Sequence, residues 1–451
     1  MAKTLTFGPI GSPPDTARPT YRTERQRVFL LGLFCLAAYV AIALSSALIT
    51  PFPNHIDELA HLSYVVTIAQ HGIAGFDLGA MRMLSATLTS FTTKADYLPH
   101  PPMYYLMLSW LLPAGGWPTL ASVYAMRLAN LALSSLAVGC ALGVGLVRRF
   151  ERPVFMLYAL MVIVSPNLWS IGGAINNDNL AILGGSAAFL GAQLLANDRG
   201  SRSGQIALVA GCTLAMLAKL TSGVMVDGFA VIFLLLQWRD GGRGPSRRFV
   251  VVLVAFVTLA SMPFLYFLAK YGSAVPITPG FVSEYRRVAE LFAAHPDAVV
   301  NGWRSGEQLS FIGYASQFAR WLLTDWNPIF GTGSLLNLAV LVVPLALLAL
   351  TALAWFGNLR RGHEQDIVIL AAGIALIAVL PLHLLFSYRM YREVGSPPFD
   401  AFPRYYLPLA LSLIPAAVCW LVVRARERLQ VMFICALTIS LVLVPIAIMA
   451  K

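Results

Sequence analysis

The chain is short of charge. Of its 451 residues, only 12% are Asp, Glu, Lys or Arg, while 58% are hydrophobic. A soluble domain of this length carries roughly 25% charged residues. Cysteine is also scarce, and all five (Cys35, Cys140, Cys212, Cys419, Cys435) lie inside apolar runs. That placement excludes a disulfide framework in outer loops and a paired-cysteine metal site, and leaves small core hydrophobes. No internal repeat is visible, which argues against the repeated halves of many transporters. A cleavable signal peptide is absent too. The first 27 residues are polar, Pro-rich and basic, and the apolar run after them is long enough to span.

What is present is apolar sequence in blocks of about 20 residues. The expected fold is all-α and integral to the membrane, with about eleven spans: 28–49, 119–147, 153–171, 178–196, 205–219, 222–238, 248–269, 334–357, 366–386, 404–424 and 429–450. Residues 1–27 read as a disordered cytoplasmic tail and 28–451 as one polytopic domain. Basic residues set the orientation. More than half of the 32 Lys and Arg fall in the tail and in "RRFER", "NDRGSRSG", "WRDGGRGPSRR", "NLRRGHE" and "RARER". With the N-terminus inside, all of these are cytoplasmic, as the positive-inside rule requires. The net charge of +11 therefore reports topology rather than nucleic-acid binding. The C-terminus is then outside, and the expected location is the cell (inner) membrane.

The outer side carries long connections, 50–118 and 270–333, and a shorter one, 387–403. Long loops on a rigid scaffold commonly carry function. In the first, a helical pattern runs from Asp57 to about Gln70 and ends at Gly72, followed by the short apolar helix of "PPMYYLMLSWLLP". In the second, "EYRRVAELFAAH" is amphipathic and suits the membrane interface.

Several polar residues are out of place in so apolar a chain. Asp57, His61 and Tyr64 share one helix face, and Glu58 points about 100° away. Asp57 suits a helix cap. It equally suits a proton acceptor whose basicity is set by the low-dielectric boundary. A divalent cation on Asp57, Glu58 and His61 is a further reading. His100 precedes two prolines. Asn177 and Asp178, in "GGAINNDNLAIL", suit a helix N-cap or a polar ligand. Lys219 falls in the "KLTSG" turn between two legs of ~15 residues, too short for a ~30 Å core. It needs an anionic partner, Asp227 being one, or a wet cavity. Arg404, in "DAFPRYYLPLAL", opens a span from outside. It suits a phosphate or an interfacial anchor beside Tyr405 and Tyr406.

"DELAHLSYVVTIAQHG", "HPPMYYL", "PRYYLP" and "INNDNL" together resemble the GT-C class of membrane glycosyltransferases, including the lipid A aminoarabinose transferases and the protein O-mannosyltransferases. His100 stands where a lysine is often found, a departure at the phosphate contact. The resemblance implies an inverting transferase that moves a sugar from a polyprenyl-phosphate donor to a hydroxyl of a lipid or cell-envelope glycan on the outer face. It implies Asp57 as general base, with Glu58 orienting the acceptor or tuning Asp57. His61, His100, Lys219 and Arg404 become donor-phosphate ligands, and Tyr64, Asn177 and Asp178 contacts for acceptor or sugar. Its partners are the lipid-linked donor, the acceptor and membrane lipids. A transporter or flippase of lipid-linked sugars is the alternative. The gathering of polar residues at the outer rim favours the enzyme. An O-antigen ligase or polymerase of different fold needs no such acidic pair.

Overall fold

The computed structural model describes residues 21–424, apart from 56, 166, 242–244, 294–298, 301–302, 305–308, 325–365 and 395–402. The expected spans 334–357 and 429–450 lie outside the described residues. The described chain is mostly helical. Its helices are α1 (Tyr21–Ile49), α2 (Glu58–His71), α3 (Met103–Ser109), α4 (Leu120–Val147), α5 (Arg152–Ile163), α6 (Leu168–Gly172) and α7 (Asp178–Asn197), followed by α8 (Arg202–Ala218), α9 (Leu220–Gly241), α10 (Arg247–Tyr271), α11 (Pro279–Ala293) and α12 (Phe311–Thr324). Two more, here α13 (Ile367–Val394) and α14 (Leu407–Arg424), close the described chain.

Among the described residues, six helices are long and apolar enough to cross a membrane, and two shorter apolar helices, Arg152–Ile163 and Arg202–Ala218, stand beside them. The chain is a multi-pass membrane protein. On α1 and α10 only 28% and 22% of the apolar window is buried. These helices turn Phe34, Leu48, Leu259 and Met262 outward, as helices bathed in lipid do.

Three expectations need correction. Helix α1 starts at Tyr21, inside the stretch expected to be a disordered tail. The expected span 153–171 is broken: α5 ends at Ile163, and α6 begins at Leu168 after Asn167, whose φ is 61°. Ser165 precedes a proline, and a residue in that position is pushed out of helical geometry. Helix α13 continues to Val394, so the first part of the expected 387–403 loop is helical. The first outer loop also holds a β-hairpin that the hydrophobic pattern does not reveal, β1 (Arg82–Leu84) antiparallel to β2 (Phe91–Ala95). A second short pair joins Val299–Val300 to Trp303–Arg304.

Close backbone approach organises the centre. Helices α7 and α8 meet along glycines: a Cβ on Gly184 would fall 2.5 Å from the Ala215 amide nitrogen, and one on Gly211 would fall 2.4 Å from that of Ala188. Small residues allow this packing where no hydrophobic driving force separates lipid from protein. Gly185 lies directly against the Pro408 carbonyl of α14. One buried apolar cluster fills the bundle, with Tyr39, Phe155, Phe189 and Phe229 within it. A second, with Leu62, Tyr64, Leu84 and Tyr105, binds α2, the hairpin and α3 into a cap on one end.

Candidate functional site

The end of α1, the starts of α7 and α14 and the junction of α8 with α9 all meet under this cap. Glu58 anchors the arrangement. Fully buried, it takes both forks of Arg127 on α4: Nε donates to Oε1 and Nη2 to Oε2, each at 2.7 Å. Arg127 Nη1 donates to the carbonyls of Ala47 and Thr50 at 2.7 and 2.8 Å, at and just beyond the last turn of α1. One guanidinium thus fixes α1, α2 and α4 together. Both Glu58 oxygens are thus taken up by Arg127, where the resemblance implies a group that orients the acceptor or tunes Asp57. This pairing also removes Glu58 from the metal set imagined with Asp57 and His61. Among the described residues no group of three or more His, Cys, Asp or Glu is placed to hold a metal ion.

Asp57 precedes α2 with φ 58° and ψ 7° and makes no side-chain cap bond. The left-handed conformation is one that Asp tolerates better than most residues. Its carboxylate turns instead to Tyr97, whose hydroxyl donates to Oδ1 at 2.8 Å, and to Arg404, whose Nη2 donates to Oδ2 at 2.8 Å. Its side chain remains 26% exposed, against 4% for Asp178 and 0% for Glu58, so Asp57 is the carboxylate of the three that solvent or a ligand can reach. Burial pushes the Asp57 carboxyl up. The charge of Arg404 and the hydrogen bonds from Tyr97 and Arg404 oppose that, and the carboxyl is held below its ordinary value.

Asp178, at the first turn of α7, binds the two cations together. Lys219 Nζ lies 3.1 Å from its Oδ1, and Arg404 Nε 3.5 Å from its Oδ2. Lys219 is the single extended residue between α8 and α9, with φ −165° and ψ 134°. The α7–α8 glycine seam sets it beside Asp178, so its anionic partner is Asp178 and not the alternative, Asp227. Both cations lie against the Tyr405 ring: Lys219 Nζ is 3.6 Å and the Arg404 guanidinium carbon 5.4 Å from its centroid. The site is thus an alternating set of two carboxylates and two cations.

The histidines contribute differently. His61 is buried, with Nδ1 3.0 Å from the Tyr105 hydroxyl and its ring stacked on His100 with centroids 6.1 Å apart. Burial lowers its pKa to about 4, against the opposing pull of Asp57 and Asp178. His100 is also driven well below the usual imidazole range, by burial and then by Lys219, His61 and Arg404. Both rings are neutral at pH 7, so the positive charge at this site belongs to Lys219 and Arg404.

Two of the expected acceptor or sugar contacts are used internally. The Tyr64 hydroxyl donates to the His100 carbonyl at 2.7 Å, and its ring stacks on Tyr105 at 3.7 Å. Asn177 Nδ2 donates to the Ala218 carbonyl at 2.8 Å, which ties α7 to the end of α8. Both are positioned as scaffold rather than as ligand groups. Behind Tyr97 lies Asp96, almost fully buried, with Oδ1 accepting from the Leu98 amide and Oδ2 without a hydrogen-bond partner. Burial raises its pKa to about 8.

Arg127 and Tyr97 are residues that sequence reasoning misses. Arg127 carries a readable signal, a lone arginine inside an apolar span. Tyr97 carries none, since its contact with Asp57 crosses 40 positions.

No protein-family model matches the chain, and no curated protein matches it in sequence. Solved structures do match. The archaeal oligosaccharyltransferase AglB from Archaeoglobus fulgidus, in complex with an inhibitory peptide and a dolichol-phosphate, is 13% identical over 93% of this chain and 55% of its own, with a TM-score of 0.50. The fold is that of the GT-C glycosyltransferases. ArnT from Cupriavidus metallidurans, bound to undecaprenyl phosphate, is 15% identical over 87% of this chain and 78% of its own, with a TM-score of 0.37. The chain spans about half the length of the archaeal enzyme. In this version of the GT-C fold, Asp57, Asp178, Lys219 and Arg404 meet at the end of the bundle that carries the large loops.

Proposed function

We propose that this protein is an inverting glycosyltransferase. It moves a sugar from a polyprenyl-phosphate donor to a hydroxyl of a lipid or cell-envelope glycan, at the outer face of the cell membrane. The observation that carries the reading is one reachable, anionic carboxylate, Asp57, set beside the paired cations Lys219 and Arg404 at the end of a GT-C fold that carries the large loops. The acceptor hydroxyl gives its proton to Asp57 as its oxygen bonds to the anomeric carbon. The bond from that carbon to the phosphate oxygen breaks on the opposite side, and the polyprenyl phosphate leaves. Charge grows on the phosphate in the transition state, where the two cations stabilise it. The neutral His61 and His100 form the wall next to them and can donate a hydrogen bond but no charge. A lipid-linked phosphate is the donor class because the site lies at the ends of lipid-bathed helices. AglB, whose fold the chain shares, was solved with such a phosphate. The site faces outward because the basic clusters place the opposite ends of these helices in the cytoplasm.

Asp57→Asn tests the reading. In purified, reconstituted protein, sugar transfer should fall by roughly 10²–10⁴-fold while folding and expression persist. Normal transfer by this variant would refute the mechanism. Movement of the lipid carrier across vesicles without any sugar transfer would instead favour a flippase.

A further inference from the structure

In the structure the proposed base is engaged on both oxygens, Oδ1 by Tyr97 and Oδ2 by Arg404. A carboxylate held this way is a poor proton acceptor. The two donors differ in kind. Tyr97 follows β2 in the cap and is neutral. Arg404 sits in the short turn Pro403–Tyr406 before α14, reaches Asp178 as well, and shares the Tyr405 ring with Lys219. Two cations are thus gathered at one ring and at one carboxylate, Asp178. An arginine prefers a phosphate or carboxylate that can take two of its parallel N–H groups. Asp57 takes one, through Nη2, and Asp178 lies 3.5 Å from Nε.

We propose that Arg404 is a latch on Asp57 that the phosphate of the lipid donor opens. The inference rests on the donor reading above. The arriving phosphate takes the Arg404 fork and joins Lys219. Asp57 Oδ2 is then released, while Tyr97 still holds Oδ1 and keeps the carboxylate aimed. Asp57 regains basicity only when a donor is in place, so the acceptor is deprotonated only in the ternary complex. Binding is therefore ordered, donor first. Arg404 acts at two points: as a phosphate ligand, and as a positioning residue that reports occupancy to the base.

The latch makes Asp57 a competitor of the phosphate for Arg404, and a double-mutant cycle measures that competition. Undecaprenyl phosphate is titrated by calorimetry into the detergent-solubilised full chain. Asp57→Asn should tighten its binding by on the order of tenfold, because the Asp57 carboxylate no longer competes for Arg404. In an Arg404→Gln background the same substitution should change binding by less than about twofold. Simple repulsion between Asp57 and the phosphate predicts the same tightening in both backgrounds. Arg404→Lys serves as a second background should Arg404→Gln fail to fold. It keeps the charge but loses the fork, and the gain from Asp57→Asn should shrink there. Equal gains in every background, or no gain in the parent, would overturn the latch and leave the transferase reading standing. Absence of binding by the parent chain would overturn the donor reading itself. Inorganic phosphate, run in parallel, should bind at least roughly a hundredfold more weakly, since it lacks the lipid chain. Equal binding would overturn the lipid-carrier assignment.

Discussion

Glu58→Gln separates architecture from chemistry at the acidic pair. Arg127 is fully buried and makes four hydrogen bonds, two to Glu58 and two to the carbonyls of Ala47 and Thr50. The amide keeps one acceptor oxygen but turns an NH₂ group toward a guanidinium N–H, so one bond becomes a donor–donor contact. It also leaves a positive charge buried without its counter-ion. Breaking a buried pair from one side costs about 3–5 kcal/mol, and this pair sits at the upper part of that range because it is bidentate. Denaturant titration of the detergent-solubilised protein should show the loss. The Glu58→Gln, Arg127→Met double variant should be more stable than Glu58→Gln alone, since the orphaned charge is gone. The two freed carbonyls, of Ala47 and Thr50, at about 1–3 kcal/mol each if left unpaired, keep it below the parent. Unchanged stability of Glu58→Gln together with lost sugar transfer would refute the structural role and return Glu58 to the chemistry.

Further predictions concern pH and packing. His61 has a folded value of about 4 against ~6.5 unfolded, so between these values only the unfolded chain takes the proton. Stability should fall as pH drops through that window, by up to about 3 kcal/mol, and His61→Gln should flatten the slope in equilibrium unfolding curves. Asp96 titrates the other way: held near 8 when folded and near ~4 unfolded, it lowers stability as pH rises between them. Asp96→Asn should therefore stabilise more at pH 8 than at pH 5, and the reverse order would refute its burial as a neutral acid. Gly185→Ala inserts a methyl against the Pro408 carbonyl. It should cost about 1–3 kcal/mol and weaken undecaprenyl phosphate binding, because it pushes α14 and Arg404 away from Asp178.

The helical, multi-pass character was legible in the sequence because its signals are local. An apolar run of sufficient length crosses a bilayer whatever its neighbours do, and charge bias in short loops follows from insertion. The helix α2 with Gly72 at its end, the short helix after the His-Pro-Pro segment, and the break at Lys219 all follow from such signals. The proline-linked break in the span after Glu151 was equally local, yet the apolar count overrode it. The hairpin Arg82–Leu84 with Phe91–Ala95 lacked a readable alternation and emerges only from its packing on α2.

The site divides along the same line. Sequence alone marked Asp57, Asp178, Lys219 and Arg404 as residues that an apolar chain does not carry without a reason. It could not pair them. Asp57 and Arg404 are 347 positions apart, and Asp178 and Lys219 are 41 apart. Their contacts depend on the glycine seam between α7 and α8 and on the approach of Gly185 to Pro408. Glu58 shows the same division: adjacent to Asp57 in sequence, it is turned by the helix through about 100° onto Arg127. Residue type and local period state which groups must find partners. Only the packing of distant helices decides which partners they find, because the energy of a buried charge depends on what surrounds it in space.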